Sequence, residues 1–272
     1  MKFVAINFVK CVFFYVCQVL NNNFKNMKGS IKAIADGVLN GSTYASNKRA
    51  ISQLFGVTSE EKEEDILLRL TVIDSMYSTQ MNKRYYALED LAKAMFTLKT
   101  EKGCSLAKLF TDFANAPKAS KVDYSGGNLF GNSYGIGKDG EEKGIAISLI
   151  SKYAYFTTDY QFPIFDSIVC DMLPRLSAYN GFSKPEIKGT NGADKMVSFV
   201  SEINSFISQC DGVDFNVSYD SLDRLLWVLG KIERENLSLV LSKAEYLNYV
   251  SSKGTLPSRF DPLVDLLKRL PK

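Results

Sequence analysis

Two residues between Gly144 and Leu176 are of types, and in settings, that suit chemistry. Lys152 interrupts the apolar run GIAISLISKYAYF, and Asp166 follows Phe162-Pro163-Ile164-Phe165. An ammonium is costly to bury unless it is paired or neutralised. An acid at the start of a helix is favoured by the exposed N–H groups and the macrodipole. Capping alone accounts for Asp166, and a lysine whose head snorkels to the surface is the plain alternative for Lys152. Taken as a pair they offer more: an amine for attack through an imine, and a carboxylate to steady the positive charge that develops.

The elements that must position this pair follow from pattern. The Gly144–Leu176 stretch predicts an apolar helix, a short turn and a second helix entered at Asp166-Ser167. Upstream, Thr58 and Glu61 predict a capping box, after which Ile66, Leu67, Leu70, Ile73, Met76 and Tyr77 keep helical spacing. That helix ends near Ser78-Thr79-Gln80, and the next runs from Tyr85 to Lys99 with Leu88, Leu91, Ala92, Met95 and Phe96 on one face. An antiparallel helix pair is implied.

A short helix is expected from Lys102 to Phe113, then a long Gly/Asn/Ser-rich loop from Ala116 to Gly144. Loops of that length in a compact chain are usually functional or mobile. Within it, Gly135-Ile136-Gly137-Lys138 could turn backbone N–H groups towards a phosphate, although without a preceding strand it is no P-loop. Phe182–Asn191 reads as a second loop. Further helices are expected at Ala193–Cys210, Ser221–Glu235, Lys243–Ser252 and from Pro262, with Trp227 in the core. With no alternating strand pattern and no repeat, the fold class is all-α and multi-helix.

Composition narrows the chemistry. The 272-residue chain carries a net charge of +3 and no histidine, which removes Ser-His-Asp triads, Cys-His pairs and imidazole metal sites. Its five cysteines are scattered without CxxC spacing, so reduced thiols and a cytoplasmic setting are expected, with no metal and no cofactor. Residues 1–26 open with MKFVAINFVKCVFFYVCQVL, where Lys10 cuts the apolar run too short to span a bilayer. An apolar N-terminal helix or extension is the reading, with Met27 an alternative start and no membrane partner. From Phe24 to Phe55 the lysines and Arg49 form either a phosphate-contacting face, Lys48 included, or a solvated surface.

Two separated stretches together resemble one family. LLRLTVIDSMYSTQMNKRYYALEDLAKAMF and AISLISKYAYF followed by FPIFDS are similar to units of the helix-hairpin-helix DNA glycosylases of the 8-oxoguanine type. The resemblance covers roughly Glu64 to Leu176. It implies a two-lobed helical domain over 27–272 with a cleft near 78–86 and 135–170. It implies a monomer bound to double-stranded DNA that excises a damaged or modified base from an extruded nucleotide, with possible AP-lyase action.

By that resemblance Asp166 stands at the family's helix-start aspartate, and Gln80 at the residue that enters the DNA beside the extruded base. Gly135-Ile136-Gly137 resembles the family hairpin, whose lysine directly follows it. Here Lys138 follows the hairpin but lies further upstream of Asp166 than the family's lysine, and Lys152 lies closer to Asp166. The resemblance leaves the nucleophile open between them, and Lys152 could take its part. The implied DNA-contacting set is Gln80, Lys83, Arg84, Tyr85, Gly135, Gly137 and Lys138, with Tyr85 or Tyr153 against the base. A non-catalytic nucleic-acid-binding protein on the same scaffold, for example in defence against mobile DNA, is the alternative; a helical protein-interaction module is a third reading.

Overall fold

A computed structural model describes residues 37–40, 42–56, 62–115, 129–142, 144–211 and 217–272. Ten complete α-helices lie among them: α1 (Thr43–Gly56), α2 (Glu63–Tyr77), α3 (Ala87–Lys102), α4 (Leu106–Asn115), α5 (Ile147–Thr157), α6 (Ser167–Tyr179), α7 (Gly192–Asp211), α8 (Tyr219–Glu233), α9 (Lys243–Ser251) and α10 (Asp261–Arg269). Pairing between extended segments is limited, among the described residues, to three isolated bridges. The all-α class is therefore observed. The N-terminal stretch 1–26 and the Thr58–Glu61 capping box lie outside the described residues.

Local chemistry fixes where these helices begin and end. α2 opens with Glu63, Glu64 and Asp65, which suit the positive end of the dipole, and the Asp65 carboxylate accepts the Lys62 N–H at 3.1 Å. α3 stops at Gly103, whose φ of 62° is the left-handed conformation that closes helices. That glycine corrects the expected Lys102–Phe113 helix: Lys102 ends α3, and α4 starts only at Leu106. Ser218 caps α8, and Ser242 with Glu245 forms a reciprocal box at α9.

α5 lies at the centre of the core. Nine of its eleven residues are buried, and it packs against α1, α2 and α4. A helix that is apolar on all sides must be enclosed on all sides. On the far side of Asp166, α6 lies against α8, and the approach is closest at Gly230. A methyl group there would stand 2.2 Å from Cγ2 of Ile168, two residues beyond Asp166. Gly230→Ala should therefore lower stability by about 1–3 kcal/mol through overpacking, seen as a lower urea midpoint. No helix among the described residues is long and apolar enough to cross a membrane.

Candidate active-site cavity

Lys152 and Asp166 meet across the α5–α6 turn. The lysine is 3% exposed; its Nζ lies 3.4 Å from Oδ2 of Asp166 and donates to Ser148 Oγ, one turn earlier on α5, at 2.6 Å. The Tyr77 ring centroid is 5.6 Å from the same ammonium. Asp166 caps α6 by accepting the Ile168 N–H at 2.8 Å through its other oxygen. The adjoining Phe165 N–H donates to Ser151 Oγ at 3.0 Å, which ties the FPIFD segment back to α5. One carboxylate oxygen is thus held by the helix terminus, and the second faces the amine.

Both residues line a cavity of about 550 Å³, and Ser78, Thr79 and Gln80 form part of its wall. The loop carrying these residues holds three non-glycine residues at positive φ: Ser78 (51°), Gln80 (64°) and Tyr86 (60°). Such conformations persist only where surroundings over-determine them. Here buried Asp74 does so, accepting hydrogen bonds from the Thr79 hydroxyl and, at 3.0 Å, from the Met81 N–H. Gln80 is exposed and accepts from Lys83 Nζ at 3.0 Å. Tyr85 and Tyr86 stand 54% and 66% exposed beside it.

The glycine hairpin joins the same rim. Tyr85 and Ile136 exchange backbone hydrogen bonds of 2.9 and 3.0 Å, and Arg84 donates to the Gly144 carbonyl. Gly135, at φ 73°, lets this crossing happen: a Cβ there would lie 2.6 Å from both the Tyr85 carbonyl oxygen and Ala87 Cβ. Lys138 sits exposed in the turn that follows, and it does not line the cavity.

Three expectations need correction. The Gly135 and Gly137 N–H groups do not form a phosphate cradle, because they donate to Asp90 and to the Glu141 carbonyl. Tyr153 is fully buried against Phe55, since it points from α5 into the core rather than into the cavity. Lys48 is not a solvated or phosphate-facing cation: its Nζ lies 2.5 Å from Asp220 and 4.1 Å from the Tyr160 ring centroid.

Sequence reasoning passed over what α8 contributes. Asp223, 7% exposed in the run SLDRLLWVL, interacts electrostatically with both Asp166 and Lys152. Burial, then the Asp166 charge, pushes its carboxyl up to about 7. Lys231 also couples to both; burial, partly offset by Asp166, holds its ammonium below the usual lysine range. The available signal was a charge inside an apolar helix, the same that marked Lys152. Cys170 lines the cavity, but burial and then Asp166 push its thiol up to about 12, so it remains protonated and is no nucleophile.

Comparison of the chain with protein-family models, curated proteins and solved structures gives no match. The site is therefore read from its own chemistry. A cavity of this size suits a small organic group. Its wall carries one primary amine, two carboxylates, of which Asp166 is oriented by a helix terminus and Asp171 lies further along α6, and an amide on a strained loop. Among the described residues no group of three or more Cys, Asp or Glu is placed to hold a metal ion.

Proposed function

We propose that the protein binds double-stranded DNA as a monomer and removes a damaged or modified base as an N-glycosylase, with associated AP-lyase chemistry. The observation that carries the reading is Lys152 Nζ 3.4 Å from Asp166 Oδ2 on the wall of a cavity that Gln80 also lines. A base cannot be reached within the stack, so the target nucleotide turns out into the cavity. The strained Gln80 loop enters the space left behind, with exposed Tyr85 beside it. The basic rim of Lys83, Arg84 and Lys138 meets the phosphates.

Asp166 stabilises positive charge at the sugar as the base departs. The Lys152 amine attacks C1′, and the imine that follows permits elimination of the strand. We infer the two-lobed helix-hairpin-helix glycosylase plan for the fold, and a cytoplasmic setting is in keeping with its cysteines. The near-complete enclosure of Lys152 favours one other reading, a non-catalytic DNA-binding protein in which the pair is structural. Incubating the protein with duplexes containing 8-oxoguanine, uracil or an abasic site, with borohydride present, separates the two. The enzyme gives a covalent adduct, whereas the binding protein gives salt-sensitive binding alone.

A further inference from the structure

We propose that a second cavity, walled by α1, the turn after α5 and α8, binds a nucleoside monophosphate, with the phosphate on Arg49 and the base against an apolar wall. This stands independently of the glycosylase reading. The cavity encloses about 510 Å³, a size that suits a small organic molecule, and it shares no described residue with the cavity at Lys152.

Charge selects an anion. Lys48, Arg49 and Arg224 all line this cavity. Lys48 Nζ lies 2.5 Å, and Arg224 Nη2 2.9 Å, from the Asp220 carboxylate, which also accepts from the Tyr155 hydroxyl. One acid thus answers two cations, although a structural pair needs only one and each further charge taken from water is costly. Arg49 is exposed and has no hydrogen-bond or ion-pair partner among the described residues. Asp223, buried further along α8, does not line the cavity, and its carboxyl is pushed up to about 7, so the wall keeps a positive excess. Lys48 is held by Asp220 and lies 4.1 Å from the Tyr160 ring centroid, so it neutralises Asp220 rather than meeting the ligand. Arg49, whose planar fork suits phosphate, makes the contact, and Arg224 lends charge from the same wall.

The rest of the wall is fixed in place. Asp159 and Tyr160 hold positive φ angles of 48° and 66°, a strain that clusters at ligand clamps. The Tyr160 N–H donates to the Tyr155 carbonyl at 2.7 Å. The Ser52 hydroxyl donates to the Lys48 carbonyl at 2.7 Å, which leaves its oxygen to accept from the Tyr160 hydroxyl at 2.5 Å. Leu39, Tyr44 and Ala45 add apolar surface, and the Tyr44 ring packs on Trp227 with centroids 4.7 Å apart. A phosphate monoester, charged about −1.5 to −2 at neutral pH, answers the positive excess. A flat apolar body answers the other wall. A nucleoside monophosphate joins both in one small molecule.

Calorimetric titration of the full chain with dAMP tests this. Saturable binding with a Kd of about 0.1 mM or tighter is expected, with deoxyadenosine and inorganic phosphate each weaker by about tenfold or more. Arg49→Gln should weaken dAMP binding by about tenfold or more. Ala45→Leu, which fills the cavity without touching a charge, should weaken it as much. Arg49 is exposed and Ala45 half-buried, and unchanged far-UV circular dichroism confirms that each variant folds. The same titration of Lys152→Gln separates the two cavities: retained affinity supports the site at Arg49, and loss places the nucleotide beside Lys152 and overturns the proposal. Wild-type affinity in both folded Arg49→Gln and Ala45→Leu also overturns it. So does deoxyadenosine or phosphate binding as tightly as dAMP, or no saturable dAMP binding by about 5 mM.

Discussion

Replacing Lys152 with glutamine should abolish covalent capture of DNA, lowering trapping by about a thousandfold or more, with duplex affinity changed by no more than a fewfold. Glutamine keeps the length and polarity of the side chain and can still bond to Ser148, but it cannot form an imine. The Asp166 carboxylate stays tolerable without its cation, because it keeps the Ile168 N–H at 2.8 Å and is about a quarter exposed. Loss of chemistry with retained binding would separate a nucleophile from a residue that merely supports the fold. Trapping that survives in Lys152→Gln would move the nucleophile elsewhere.

The second large effect is on stability and carries a defined sign. Asp223 titrates near 3.8 in an unfolded chain and about 7 in the folded protein, where burial and the neighbouring Asp166 disfavour its charge. Between about pH 4 and 7 the folded state therefore holds a proton that the unfolded chain has released, and stability falls as pH rises through that window. A difference of about three pKa units sets a ceiling of about 4 kcal/mol on this loss. Asp223→Asn escapes it. The variant should match wild type near pH 4 and exceed it progressively up to about pH 7.5, above which the gap is constant. Urea unfolding of both proteins at pH 4.5, 6, 7 and 8 checks this, and a gap that does not grow with pH would show that Asp223 is not held in this way.

The sequence carried much of the helical scaffold because local signals were strong. The apolar runs of α2 and α3 and the proline ahead of α6 act within one or two turns. The place of Asp166 at a helix start was legible for the same reason, and Lys152 stood out as a charge in an apolar run. What could not be read was distance. The Tyr85–Ile136 bridge that joins two loops into one rim has no periodic signature. Residues 152 and 153 lie 100° apart on a helix that is buried nearly all round, so one lines the cavity and the other enters the core. Asp223 carried the same signal as Lys152 but in a distant helix, and only the fold brings the two charges within electrostatic reach of each other.

The most direct test of the central claim is borohydride trapping by the wild-type protein on duplexes bearing an abasic site, 8-oxoguanine or uracil, at two salt concentrations. A covalent adduct that depends on Lys152, formed on top of binding that weakens as salt rises, is the expected result. Absence of both binding and adduct at low salt would contradict a DNA glycosylase and leave Lys152–Asp166 as a buried ion pair at the centre of a helical fold.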